Sequence, residues 1–103
     1  MSDPIKLKLS KPIMAHGEQV DELEFRAPLT KDIIEIGLPT LIIPDSEGGG
    51  GIEIRQPIVA KYISRLAAIP KGSVESLEIS DFANASGVVM GFFGMADGET
   101  SAN

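Results

Sequence analysis

Apolar and polar side chains alternate in two short stretches of the N-terminal region. Residues 4–12, PIKLKLSKP, and residues 20–26, VDELEFR, each keep a period of two, which is typical of a strand with one buried face. Residues 15–18, AHGE, have the composition of a tight turn between them. Lysines on one polar face and glutamates on the other favour antiparallel pairing. The pattern predicts a β-hairpin, with a bulge or a late strand start near Asp21 because Val20 is out of phase.

Helical patterns follow this hairpin. Thr30 has the properties of an N-cap for a short helix over residues 31–36, with Asp32 in its first turn and Gly37 at its end. A second helix is predicted from Pro57 to about residue 68, since proline is favoured in a first turn. The apolar arc of this second helix consists of Ile58, Val59, Tyr62, Ile63 and Leu66.

The remaining segments are predicted to be a loop, a short capped turn and a polar tail. Residues 44–51 include four consecutive glycines, and we expect a mobile loop there because glycine loses the most entropy on ordering. Ser73 is placed to cap one turn over residues 74–77, and the polar residues 97–103 are expected to be disordered. The sequence thus predicts a single small α+β domain over residues 1–96, in which an N-terminal antiparallel β-hairpin packs against two or three helices.

The last third of the chain has an unusual apolar pattern. Ser80 is placed to cap a helix and Asp81 adds a carboxylate to its first turn, whereas residues 82–96 carry no charge. At about 100° per residue, one face forms a core stripe of Phe82, Ala85, Ser86, Val89 and Phe93. The opposite face carries Ala83, Gly87 and Gly91 at intervals of four residues, flanked by Val88, Phe92 and Met95.

Glycines in this helix need a compensating interaction. Those at positions 87, 91 and 94 weaken a helix by roughly 3 kcal/mol relative to alanine. Close approach of another chain would compensate, so we predict a partner-binding surface formed by Ala83, Gly87, Val88, Gly91, Phe92 and Met95. A partial strand is the alternative, since GVVMGFF suits β structure, but the length of the segment and its cap favour a helix.

Composition narrows the class of protein. The 103 residues are 43% hydrophobic, which suffices for one core, and the absence of cysteine excludes disulfides, thiolate nucleophiles and cysteine-ligated metals. Nine basic against fifteen acidic residues give a net charge of −6, which argues against nucleic acid or a membrane as the partner. No secretory signal or membrane-spanning run is apparent, so we expect a cytoplasmic protein.

Each candidate for chemistry has a simpler explanation. His16 is the single histidine and lies in the predicted turn, so we expect no metal and no cofactor. The carboxylates within residues 18–24 lack the spacing of a calcium loop, so we expect them to lie on the solvent-exposed face of a strand. The glycines at 48–51 are not followed by the Lys-Ser/Thr of a phosphate-binding loop. For Arg26, a contact with a partner and pairing with a nearby carboxylate both stay open.

Two ordered blocks of residues resemble a known family. The first block comprises Leu9-x-Lys11-Pro12-Ile13, Gly17 and Leu23-x-Phe25-Arg26-x-Pro28-x-Thr30-x-Asp32. The second comprises Leu66-Ala67-x-Ile69-Pro70, Val74-x-x-Leu77, Asp81-Phe82 and Gly91-Phe92-Phe93. Together they cover roughly residues 5–93, and their order resembles the small tail assembly chaperones of Mu-like and P2-like contractile-tailed phages and prophages.

This resemblance implies a non-enzymatic role in the host cytoplasm. Proteins of the family bind the long tape measure protein and keep it soluble until tube subunits polymerise around it. The implied partner is therefore the tape measure protein, with the tail tube protein and a second copy of this chain as further candidates. A structural subunit retained in the assembled phage tail is the alternative. An enzyme is least favoured, because no nucleophile–base pair is available.

Overall fold

The computed structural model describes residues 4–44 and 50–94, and the predicted polar tail at 97–103 lies outside them. The elements in chain order are β1 (Ile5–Ala15), β2 (Glu18–Phe25), α1 (Thr30–Ile36), β3 (Thr40–Pro44), β4 (Gly50–Ile54), α2 (Gln56–Ala67), α3 (Lys71–Glu75) and α4 (Ile79–Phe92). Strand β1 pairs antiparallel with β2, and the hairpin packs against α2 and α4. The predicted α+β class is confirmed.

The N-terminal hairpin turns through His16 and Gly17, whose φ angles are 54° and 78°. Two successive left-handed residues form the two-residue turn whose twist matches that of paired strands. Lys6 stands opposite Glu24 on the outer face, as the charge pattern predicted. The short turn therefore sets the register in which the apolar faces of both strands point to the same side.

The irregularity of this hairpin lies in β1. The register shifts between Lys8 and Ile13, where residues 9–12 of β1 stand against Asp21 alone in β2. The bulge therefore lies opposite Asp21, at the predicted position along the hairpin, but it belongs to β1 and not to β2 as predicted. Residues in a bulge leave the ladder of paired strands, so their N–H groups are available to other acceptors.

One hydrophobic core joins the inner face of the hairpin to the helices. Its buried members are Leu9, Ile13, Ala15, Leu23, Phe25, Val59, Tyr62, Ile63, Leu66, Ile69, Val74, Leu77, Ala85, Val89 and Met90. The hydroxyl of Tyr62 donates to the Gly37 carbonyl at 2.5 Å. Its ring packs edge-to-face on Phe93, with centroids 5.3 Å apart. The apolar arc predicted for α2 therefore forms the centre of the core, with Ile58 partly buried at its margin.

A buried carboxylate joins α1 to the end of β2 and to α2. Asp32 is fully buried and accepts hydrogen bonds from Arg26 at 2.8 and 3.2 Å, from Arg65 at 3.1 Å and from the Leu29 N–H at 2.7 Å. These donors, Arg26 foremost, hold the pKa of Asp32 well below its usual range. Of the two interpretations of Arg26, the structure supports pairing with a carboxylate.

Three helices begin at or before their predicted N-caps. Thr30, Ser73 and Ser80 all lie inside the first turn of α1, α3 and α4 rather than ahead of it. Ser73 is buried, and its hydroxyl donates to the Met14 carbonyl at 2.6 Å. This hydroxyl ties α3 to the hairpin, so a tertiary contact replaces the local cap that the sequence predicted.

A second hairpin occupies the segment in which no strand was predicted. Strands β3 and β4 pair antiparallel, with Pro44 opposite Gly50. Pro44, Gly50 and Gly51 therefore belong to strands and not to the loop predicted over residues 44–51. Residues 45–49, the remainder of that predicted loop, lie outside the described residues.

Substitution of two phenylalanines by alanine tests which side chains belong to the core. Phe25 is fully buried, whereas Phe82 on α4 is only partly buried. We expect Phe25→Ala to cost about 3–5 kcal/mol, enough to unfold most of a small domain. Phe82→Ala should cost only about 1–2 kcal/mol, because less of its ring leaves water on folding. Urea denaturation followed by circular dichroism measures both, and equal losses would contradict this placement of α4.

Candidate partner-binding surface

A single buried carboxylate fixes the start of α4 to the hairpin. Asp81 is 2% exposed and accepts hydrogen bonds from the Ser10 N–H at 2.9 and 3.0 Å, the Ser10 hydroxyl at 3.0 Å and the Lys11 N–H at 3.2 Å. Both donor residues belong to the β1 bulge. These hydrogen bonds, above all the one from the Ser10 backbone, lower the pKa of Asp81. The carboxylate therefore stays ionised at neutral pH and orients the helix.

The buried face of α4 follows from this contact. Ala85 and Val89, one and two turns after Asp81, are fully buried. Phe82, which the pattern placed on the core stripe, is only partly buried at its margin. The helix is rotated from its predicted phase because the Asp81 side chain must reach the bulge. The segment is helical from Ile79 to Phe92, so the partial-strand alternative is wrong.

The opposite face of α4 presents a row of mostly small residues to solvent. Ala83, Gly87 and Gly91 are exposed, in line with the predicted pattern. Ile79, one turn earlier, extends the row and is 85% exposed. A Cβ atom built on Gly87 meets no other atom within 4 Å. We call Ile79, Ala83, Gly87 and Gly91 the outer row, and at Gly87 it is open to the close approach of another chain.

The other residues predicted for this surface are placed differently. Val88 and Phe92 are partly buried and pack against the core. Met95 lies outside the described residues. The exposed part of the predicted surface is thus carried by Ala83, Gly87 and Gly91, with Val88 and Phe92 contributing only the parts of their side chains that the core leaves uncovered.

An apolar groove opens beside the outer row, between α2, α3 and α4. It has a volume of about 280 Å³ and is lined by Ala60, Val74, Glu75, Leu77, Ile79 and Phe82. Ile79 belongs to both the groove and the outer row, so the two form one continuous surface. The lining is apolar except for Glu75. A groove of this kind can receive an aliphatic or aromatic side chain.

Sequence reasoning missed this groove. Placing the helix start at Ser80 left Ile79 outside the helix, although its spacing of four residues from Ala83 was a usable signal. Ala60 and Val74 carry no such signal, because alanine and valine are ordinary core residues in any helix. Only the packing of α2 and α3 beside α4 brings these side chains together.

The remaining candidate residues have structural roles. His16 lies in the hairpin turn, with Nε2 3.0 Å from the Ala68 carbonyl. The carboxylates within residues 18–24 are exposed on β2, which confirms the solvated strand face. Across residues 4–44 and 50–94, no three His, Asp or Glu side chains converge as a metal site requires. No helix in this part of the chain is both long and apolar enough to cross a membrane.

Comparison with known families places this surface in context. A family model matches residues 6–94, and the family is described as phage tail assembly chaperone proteins, E, or 41 or 14. The chain belongs to this family. The match confirms the resemblance inferred from the two residue blocks, and it runs from β1 through α4, so the groove and the outer row lie within it. No curated protein and no solved structure is significantly similar to the chain.

The hydrogen bonds between Asp81 and the β1 bulge lead to a prediction about the thermal stability of this chaperone-family protein. Asp81→Asn should lower the melting temperature at neutral pH, because an amide NH₂ would face the N–H donors of Ser10 and Lys11. Thermal denaturation of both forms between about pH 7 and pH 2 tests this. The pKa of Asp81 is lower in the folded than in the unfolded state, so its contribution exists above the unfolded value of about 4 and is lost as the pH falls further.

The difference between wild type and Asp81→Asn should therefore be largest near neutrality and narrow in acid. Glu78→Gln is the matched control, since Glu78 is an exposed neighbour whose ion pair with Lys11 is 3.8 Å long. This control should change the melting temperature little. A difference for Asp81→Asn that stays constant with pH would show that charge at position 81 does not hold the helix.

Proposed function

We propose that this member of the tail assembly chaperone family binds the tape measure protein in the host cytoplasm and keeps it soluble until the tail tube forms. The proposal involves no catalytic step and no cofactor. Family membership supports the role in tail assembly. The observation that carries the choice of surface is the continuous apolar face formed by the outer row and the groove.

This face suits a partner with exposed apolar side chains. Ile79 is 85% exposed at one end, where a large apolar side chain gains nothing from folding of the chain itself. Gly87 offers open space about two turns further along, since a Cβ there meets nothing within 4 Å. Covering such a face releases water from apolar surface on both chains, which stabilises the complex and shields the partner.

The glycines of the outer row keep the space beside α4 open but lower the stability of the helix. Replacing Gly87 by leucine would favour the helix by about 0.8 kcal/mol, and the space around the position would accept the side chain. A helix that only needed to pack its inner face would gain from such a residue. Retaining glycine here is consistent with a backbone that another chain approaches closely.

The double substitution Gly87→Leu with Gly91→Leu tests this proposal. We expect a folded protein whose melting temperature is unchanged or raised, and loss of co-purification with the tape measure protein on co-expression. Gly72→Leu is the matched control, because Gly72 is a helical glycine in α3 with open space around it. The control variant should capture the tape measure protein as the wild type does.

Normal capture by a correctly folded double variant would move the binding site away from the outer row. No capture even by the wild-type chain would contradict the chaperone role itself. Finding the protein in purified mature tails would instead favour the alternative, a structural subunit retained in the particle. A chaperone that is released on assembly should be absent from those tails.

A further inference from the structure

The carboxylate of Glu75 is the one charged group in the lining of the groove. Within residues 4–44 and 50–94, no cation lies within ion-pair distance of it. Glu78, the residue before α4, is exposed and pairs with Lys11 at 3.8 Å. From Phe82 to the end of α4 no charged residue follows. The apolar surface is therefore acidic at the groove and neutral along the rest of the outer row.

The groove and the outer row offer no strand edge with which the main chain of a partner could pair. The groove and the outer row are built from helices α2, α3 and α4 and the Leu77 segment between them, and no strand contributes to their lining. A partner segment that loses water here must satisfy its own N–H and C=O groups, which an α-helix does internally. Apolar side chains spaced three and four residues apart on such a helix can then follow the groove and the row.

We propose that this surface selects an amphipathic α-helix that places a lysine or arginine against Glu75, next to the apolar side chain that enters the groove. This inference rests on the proposed function and names the kind of tape measure segment that is bound. A second copy of the chain fits less well, because a symmetric dimer through this face brings its own Glu75 and no cation to the groove. Charge complementarity is thus what favours a basic amphipathic helix as the occupant.

Two synthetic helical peptides of about 20 residues test the inference. Both carry the same leucine stripe, flanked by lysines in one and by glutamates in the other, and binding is followed by fluorescence anisotropy. We expect the wild-type chain to bind the lysine peptide at least about tenfold more tightly at low salt, with a smaller ratio in about 0.5 M NaCl.

The variant Glu75→Lys distinguishes binding that depends on the charge at the groove from binding that depends on the net negative charge of the protein. This variant should bind the lysine peptide about fivefold or more weakly than the wild type. Glu18→Lys is the matched control, because Glu18 is an exposed carboxylate at the hairpin turn and the two variants have the same net charge. The control should keep nearly wild-type affinity.

Equal weakening by Glu75→Lys and Glu18→Lys would overturn the inference, since net charge alone would then account for binding. Equal affinity for the two peptides, or a dimer in gel filtration that Gly87→Leu dissociates, would also overturn it. None of these results touches the proposed function. That function is contradicted if the wild-type chain does not capture the tape measure protein, whereas normal capture by the outer-row leucine variant moves the binding site away from the outer row.

Discussion

The contact between the Asp81 carboxylate and the β1 bulge decides where the last helix lies. A buried carboxylate is costly unless it is fully hydrogen-bonded, and Asp81 accepts from two backbone N–H groups and one hydroxyl. The bulge supplies those N–H groups because its residues have left the ladder between β1 and β2. These hydrogen bonds outweigh the burial that opposes ionisation, so the pKa of Asp81 lies below its usual range.

Fixing one face of α4 leaves the other face uncovered. A domain of this size has too little interior to enclose a helix on all sides, so Ala85 and Val89 are buried while the outer row stays in solvent. The exposed face carries no charge because the helix has no charged residue after Asp81. The same contact that completes the core thereby presents the surface on which we base the proposed function.

A second carboxylate organises the other side of the domain. Asp32 draws together α1, the end of β2 and α2 through Arg26 and Arg65, while both arginines remain partly exposed. The pKa of Asp32 is lowered, as is that of Asp81, so ionised carboxylates contribute to stability on two sides of the core. Protonation in acid removes both contributions, and the domain should be least stable there.

The sequence by itself determined the elements whose signals are local. The alternation of apolar and polar residues predicted the first hairpin, and the residues around His16 and Gly17 predicted its turn. The apolar arc predicted which face of α2 enters the core, and the two ordered residue blocks indicated the family. Tertiary structure decided what depends on distant partners. The donors for Asp81 lie about seventy residues away on β1, so neither the phase of α4 nor the role of the bulge could be read from local spacing. The groove likewise exists only because α2 and α3 pack beside α4, since side chains far apart in sequence line one surface only after the core has formed.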